Sequence, residues 1–275
     1  MTLAGHDHGP TAATALSGWV VVESVVAVVL LGAGIGYLLA LRSGRHRRPW
    51  PAHRAVLLVL GLACAGAGLV GPIARAGHAS FTAHMLAHLL VGMIAPLLLV
   101  RAAPVTALLR GLPQQRARLL ARALRSPYVR FIGHPVTAAV LNAGGLWVLY
   151  STGLFPLMHA SLTVHVLVHV HVFASGYLLT ASIVGIDPDP HRAPFRLRAA
   201  VLIAFIAAHS ILAKHLYAHP PAGVEAADAR MGAQLMYYGG DAVDVVLIVL
   251  LFLGLHRARR ARDTAPRLPS PTASR

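Results

Sequence analysis

The sequence predicts an all-α membrane protein, a bundle of seven transmembrane helices with its N-terminus outside and its C-terminus in the cytoplasm. Three observations support this fold. Of the 275 residues, 56% are apolar and only 12% are charged, whereas charged residues make up about 25% of ordinary soluble domains. Seven apolar stretches approach the roughly 20 residues that cross a hydrocarbon core. The basic residues, finally, are concentrated in alternate loops.

The seven expected spans together occupy residues 17–256, after a short outer segment at residues 1–16. In order, the spans are residues 17–41, 55–74, 80–100, 135–152, 158–184, 195–217 and 235–256. The fourth is the least apolar, because it contains Asn142, Gly144 and Gly145, although small residues also let neighbouring helices approach closely. No lysine or arginine precedes the first span, so we expect it to be a retained anchor and not a signal peptide.

The loop charges predict the orientation. All but three of the 24 basic residues lie after the first, third and fifth spans or in the C-terminal tail; the exceptions are Arg75, Lys214 and Arg230. Arginine-rich loops stay in the cytoplasm. The net charge of +15 is therefore a topology signal, and we predict no nucleic-acid partner.

Two further segments are expected on the cytoplasmic side. Residues 113–126 place Arg118, Arg122 and Arg125 on one side of a helix, an arrangement typical of a helix lying on an anionic lipid surface. Membrane lipids are therefore expected partners. Residues 257–275 combine prolines with small polar residues and are predicted to be a disordered tail.

Histidine and methionine are sorted toward the outer side. Twelve of the 17 histidines fall there on the predicted topology, together with most methionines. The single cysteine, Cys64, excludes a disulfide framework and a C-x-x-C metal motif. Any metal must therefore be held by histidine, methionine or carboxylate.

Helical spacing selects the candidate ligands. His84 and His88 are one turn apart on the third span, and His165 and His169 repeat this spacing on the fifth. We place His88, His165 and His209 at one level, about 10–12 Å below the outer boundary. The complete predicted set adds two soft ligands and two carboxylates that orient the imidazoles: His84, His88, His165, His169, His209, Met85 and Met158, with Asp241 and Asp244.

Three chemistries fit this set of residues. Imidazole suits copper, zinc and iron, and thioether sulfur favours Cu(I). Haem b is the alternative, with His88 opposed to His169 or His209. Ion or proton transport through Glu23, Asp241 and Asp244 is the third, because ionisable groups inside membranes are generally functional. Asp241 and Asp244 could also simply pair with Lys214. Spacing alone does not separate these readings.

The order of motifs resembles a known family. Residues 82–110, TAHMLAHLLVGMIAPLLLVRAAPVTALLR, resemble the H-M-x-x-H-M…A-P-L-L…P-V-T signature of the CtaG-type cytochrome c oxidase assembly factors, with Leu89 in place of the second methionine. Residues 164–181, VHVLVHVHVFASGYLLTA, and the GIDPDP run at residues 185–190 are similar to later segments of that family.

The resemblance implies an assembly role and not an enzymatic one. It implies seven spans in a bacterial plasma membrane, cytochrome c oxidase subunits as partners, and copper, held transiently, as the metal delivered. We therefore expect no catalytic residues. On this basis the histidines and methionines above are predicted to face the metal at the outer side of the membrane.

Overall fold

The structure is a computed structural model that describes residues 12–44 and 49–263, and within these ranges the regular structure is entirely helical. The helices are α1 (Ala12–Ser43), α2 (Ala52–Leu69), α3 (Pro72–Ala76), α4 (Phe81–Leu89), a π-helical turn (Leu90–Ile94), α5 (Ala95–Arg101), α6 (Pro104–Gly111), α7 (Gln114–Leu124), α8 (Pro127–Ile132), α9 (Pro135–Ser151), α10 (Leu154–Ala160), α11 (Leu162–Val184), α12 (Phe195–Ala218) and α13 (Ala226–Asp263). The predicted all-α class is confirmed.

Six helical segments are long and apolar enough to cross a membrane. They are Gly18–Ser43, Ala52–Ala76, Phe81–Arg101, Leu162–Val184, Phe195–Ala218 and Ala226–Arg260. A seventh span is present if the helix pair α9 and α10 is counted as one, but these two helices are bent by 80°. At the bend, Thr152 is extended, and its hydroxyl bonds both the carbonyl of Val148 and the amide of Leu154.

The fifth span begins later than the sequence predicted, at residue 162 and not at residue 158, so Met158 lies on a different helix. Ser161 caps α11 by accepting a hydrogen bond from the amide of Val164, so α11 begins at Leu162 and Met158 lies on α10. His165 is consequently in the first turn of α11. The expectation that His165 lies as deep as His88 assumed a span starting at residue 158, and the structure places it at the helix end instead.

The terminal bounds also differ. Helix α1 begins at Ala12, inside the expected outer segment 1–16, and α13 continues to Asp263, seven residues into the expected tail. Residues 1–11 and 264–275, which make up most of those two segments, lie outside the described residues. The expected interfacial helix has its counterpart in α7, which has no buried residues.

Helix α4 lies inside the bundle. The span that contains it is 67% buried, compared with 11% for the span of α1. Two apolar clusters surround it, one around Met85 and Tyr150 and one around Leu89 and Phe205. A polar side chain on α4 is therefore held within protein and not against lipid. We call the end at which α4, α11 and α13 begin the histidine-rich end, and the opposite end, with α6 to α8, the arginine-rich end.

The GIDPDP run has a structural role at the arginine-rich end. The carboxylate of Asp187 accepts hydrogen bonds from the amides of Val105 and Thr106 and from the Thr106 hydroxyl, at 3.2, 2.7 and 2.5 Å. Helix α6 begins beside Ala103, which has a left-handed backbone, and has no cap of its own. Asp187 supplies that cap from the loop after α11.

Candidate metal-binding histidine clusters

Five histidine rings meet at the histidine-rich end. We call them the histidine cluster: His78, His84, His159, His165 and His169. His165 and His169 stack with ring centroids 4.1 Å apart, and His78 stacks on His165 at 5.0 Å. His159 lies 6.1 Å from both His78 and His84, and His84 lies 6.4 Å from His169. The cluster thus joins α4, α10, α11 and the loop before α4.

The start of α4 is fixed by a carboxylate from the far end of the chain. Asp228, on α13, accepts hydrogen bonds from the Ser80 hydroxyl, the Phe81 amide and both the amide and hydroxyl of Thr82, at 2.6–3.0 Å. Free amides at a helix start need such acceptors. The position of His84 in the next turn therefore depends on α13.

Hydrogen bonds decide which ring nitrogens are available. Nδ1 of His169 lies 2.9 Å from the carbonyl of His165, and Nδ1 of His159 lies 3.0 Å from the carbonyl of Phe155. A carbonyl can only accept, so each Nδ1 carries the proton and each Nε2 carries the lone pair that a metal needs. Nε2 of His84 is 3.0 Å from the Tyr150 hydroxyl.

The nitrogens of the cluster do not yet point at one centre. Within residues 12–44 and 49–263, no three histidine, cysteine, aspartate or glutamate side chains are grouped so that they could hold a metal ion as they stand. The stacking gives the reason, because imidazole lone pairs lie in the ring plane and stacked rings face each other with their π surfaces. Buried Nδ1 of His165 has no hydrogen-bond partner. Rotation of a ring would be needed before three of these side chains could hold one ion.

His78 is the member outside the spanning helices. Its ring packs edge-on against Trp19 at 4.5 Å and faces His165. Burial of the ring, together with neighbouring His159, lowers the pKa of His78 below its usual value of 6.5. Neutral imidazole is the form that binds a metal.

The two predicted methionines are buried in an apolar group that contacts the cluster through Phe155. Met85 and Met158 are 0% and 1% exposed and belong to one apolar group with Phe81, Phe155 and Tyr150. The Tyr150 hydroxyl is 4.0 Å from the sulfur of Met85 and also contacts His84. Tyr150 therefore links the thioether layer to the imidazoles.

Two predicted histidines, His88 and His209, form a separate, deeper pair. The rings of His88 and His209 are 6.2 Å apart and within 22° of parallel. Nε2 of both rings and both oxygens of Asp244 are buried without a hydrogen-bond partner among the described residues. The single level expected from the sequence is thus divided into two levels.

Glu23 and Lys214 have partners outside both histidine groups, and Asp241 is only half-buried. Glu23 receives two hydrogen bonds from Arg75, at 3.2 and 3.3 Å. Lys214 lies over the ring of Tyr237, 5.2 Å from its centroid. Pairing of Lys214 with Asp244 is not found in the described residues.

Tight packing around His209 disfavours a haem between the two deep histidines. A Cβ on Gly240 would lie 2.6 Å from Cε1 of His209, and a Cβ on Gly239 would lie 2.7 Å from Leu89. Side chains of α4 and α12 therefore pack directly against α13 at these two glycines.

Comparison with known proteins identifies the family. Residues 35–258 match the family model of the cytochrome c oxidase caa3 assembly factor, CtaG. The chain belongs to this family. The match spans every member of both histidine groups, and the resemblance noted in the sequence is confirmed.

Relatives of this CtaG family member occur in mycobacteria. Uncharacterized proteins of Mycobacterium bovis and Mycobacterium tuberculosis are each 31% identical to it over 209 residues, 73% of this chain. One of Mycobacterium leprae is 30% identical over 197 residues. The chain spans about a third of the length of these relatives. No solved structure gives a significant match.

Sequence reasoning missed two members of the cluster. His78 lies on a loop, and His159, at the start of the expected span 158–184, lies on α10, so spacing along a helix does not select them. The available signal was compositional, because both belong to the set of histidines sorted to the outer side. In this CtaG protein, Leu89 takes the place of the second methionine of the signature and packs beside Gly239, away from the cluster.

Proposed function

We propose that the protein assists assembly of cytochrome c oxidase in a bacterial plasma membrane by holding copper at the histidine cluster and passing it to an oxidase subunit. The convergence of five imidazoles from four chain segments carries this proposal. Copper is the cargo and not a resident cofactor. The family is one of oxidase assembly factors, which supports a role in delivery without catalysis.

The available donor atoms suit copper. Nε2 of His169 and Nε2 of His159 carry lone pairs, and Nδ1 of His165 is buried without a partner. Neutral imidazoles and nearby thioethers favour copper over Mg²⁺ or Ca²⁺, which need carboxylate-rich oxygen cages. Met85 and Met158 supply soft sulfur in the apolar group that contacts the cluster.

The position of the cluster suits release as well as capture. His78 and His159 are exposed, whereas His84 is buried. Rings that must rotate to bind a metal do not enclose it, so an acceptor protein can compete for the ion. The arginine-rich loops at the opposite end favour an outer location for the cluster by the positive-inside rule.

Copper binding by the detergent-purified protein tests this function. We would titrate Cu(I) against a chromophoric chelator, comparing the wild type with the double variant His165→Ala/His169→Ala. His171→Ala is the matched control, because His171 is on the same helix but is exposed and bonds the Leu141 carbonyl.

We expect the double variant to lose one copper equivalent and the control to keep it, without a Soret band in either. In cells, oxidase assembly should fall in the double variant and stay at the wild-type level in the control. Unchanged copper retention and unchanged oxidase in the double variant would overturn the proposal. Appearance of a Soret band in the wild type would favour the haem b reading.

A further inference from the structure

A cleft at the arginine-rich end has both charged and apolar walls. It encloses about 510 Å³ between α8, the first turn of α9, the last turns of α11 and the loop that follows α11. Ligand sites generally have volumes of about 300–1,000 Å³. Arg130 and Arg192 contribute charged side chains to the lining, whereas Leu124, Phe131 and Leu178 contribute apolar ones. Such a lining matches an amphiphilic ligand.

We propose that this cleft binds one anionic phospholipid, with its phosphate at Arg130 and Arg192 and an acyl chain along α11. A defined site for a single lipid molecule goes beyond the general contact with membrane lipids expected of α7. The cleft lies at the opposite end of the bundle from the histidine cluster, so lipid binding there is independent of copper binding.

The two arginines have hydrogen-bond donors that the protein leaves available. The side chain of Arg130 is exposed and has no hydrogen-bond or ion-pair partner among the described residues. Arg192 donates from one amino group to the carbonyl of Gly185, which leaves its other amino group and its Nε for a ligand. Guanidinium groups bind phosphate oxygens through two parallel hydrogen bonds.

Two carboxylates also line the cleft, but other donors occupy them. Asp187 accepts three hydrogen bonds at the start of α6. Asp189 accepts one from the amide of His191. Neither carboxylate forms an ion pair with Arg130 or Arg192 in the part of the chain that the structure describes. The guanidinium charges therefore remain available to an anionic ligand.

The depth of the cleft matches the order of groups in a phospholipid. Tyr177 lines the cleft and lies seven residues before Val184, the last residue of α11. At a rise of 1.5 Å per residue, Tyr177 is about 10 Å below the end of this spanning helix. Arg192 belongs to the loop beyond that end. The cleft thus extends from a charged loop to the level of the hydrocarbon core.

Exposed aromatic side chains favour a lipid over a soluble phosphate compound. Phe131 lines the cleft but is 66% exposed, and Tyr128 on the same helix is 70% exposed. Aromatic residues are enriched at the membrane interface, and the positive-inside rule favours a cytoplasmic location for this end. Basic pockets between spanning helices on that side bind anionic lipid headgroups. An acyl chain would cover Phe131, which a soluble anion would leave in water.

Native mass spectrometry of the detergent-purified full chain would count the bound lipid. Phosphatidylglycerol is the probe, and phosphatidylcholine, which has no net charge, is the comparison. We expect the wild type to bind one phosphatidylglycerol molecule more tightly than phosphatidylcholine. In Arg130→Gln/Arg192→Gln, phosphatidylglycerol affinity should fall by about 30-fold, because each arginine near an anionic lipid surface contributes about fivefold.

Two further variants separate a defined site from general charge attraction. Arg118→Gln/Arg122→Gln removes the same charge from exposed positions on α7 that do not line the cleft, and should leave phosphatidylglycerol affinity unchanged. Ala181→Phe keeps every arginine but fills the cleft between its apolar walls, and should also lose the lipid. A wild-type melting temperature in lipid-free detergent would show that each variant is folded.

Three outcomes would overturn the lipid site. The first is an equal loss of phosphatidylglycerol affinity in the two double-arginine variants, which would indicate attraction to a basic surface without a site. The second is equal affinity of the wild type for phosphatidylcholine. The third is displacement of the lipid by inorganic phosphate, with phosphate binding intact in Ala181→Phe, which would assign the arginines to a soluble anion. Copper retention in the same samples tests the proposed function separately.

Discussion

Asp228 and Thr82 are 146 residues apart in sequence, yet the Thr82 hydroxyl donates a 2.6 Å hydrogen bond to the Asp228 carboxylate. The same carboxylate also accepts hydrogen bonds from the backbone amides of Phe81 and Thr82. The first turn of α13 is thereby attached to the first turn of α4. This contact sets where His84 and His88 lie relative to His209, because α12 packs directly against α13.

Replacing Asp228 should loosen the start of α4. In Asp228→Asn one acceptor oxygen becomes a donor, so at least one capped group at the helix start loses its partner. We expect a loss of about 1–2 kcal/mol in the free energy of unfolding, the usual effect of losing a helix cap. Thermal unfolding in detergent would measure it. Asp241→Asn, on the same helix and outside this contact, is the control, and equal melting of the two variants would contradict the capping role.

Asp187 should act in the same way at the opposite end of the bundle. Asp187→Asn removes part of the cap on α6 and should lower the melting temperature without changing copper binding. Asp189→Asn is the matched control, because the exposed carboxylate of Asp189 accepts a bond from the amide of His191 within its own loop. If Asp187→Asn lost copper, the expectation would be wrong, and the arginine-rich and histidine-rich ends of the bundle would be coupled.

Two glycines in spanning helices should respond oppositely to alanine. A Cβ on Gly176 would overlap the carbonyl oxygen of Gly92, so Gly176→Ala must push α11 away from the π-helical turn. A Cβ on Gly144 meets nothing within 4 Å. Gly144→Ala should be neutral or stabilising by up to about 1 kcal/mol, from better helix propensity. Melting temperatures that fall equally in both variants would contradict the close approach of α11.

Stability should fall in acid partly through His78. Its pKa is lowered in the folded protein, mainly by burial of the ring and further by His159, so the unfolded chain binds more protons once the pH drops below 6.5. The free energy of unfolding therefore decreases as the pH falls through this value toward the folded pKa. In His78→Gln this contribution is absent, and the melting temperature should decline less between pH 7 and pH 5. Parallel declines in the variant and the wild type would exclude a role for His78.

The candidate site was partly accessible from sequence. Turn-spaced histidines predicted that His84 and His88 share one face of α4, and that His165 and His169 share one face of α11. Periodicity describes one helix at a time, however. It did not reveal that His78 and His159 join the cluster, because His78 lies on a loop and His159, inside the expected span 158–184, lies on the separate helix α10. It also began the fifth span too early, because the start of α11 depends on the cap at Ser161.

What the sequence by itself determined is the all-helical membrane fold and the sorting of histidines to one end, because both follow from composition along the chain. Apolar length defines a span, and loop charge gives the expected orientation, without reference to any other segment. The division of the histidines into an outer cluster and a deep pair was decided only in three dimensions. It depends on packing between helices, as at Gly240, where a Cβ would lie 2.6 Å from Cε1 of His209, and this packing leaves the His88 and His209 rings 6.2 Å apart. Such packing between distant segments has no counterpart in local sequence spacing.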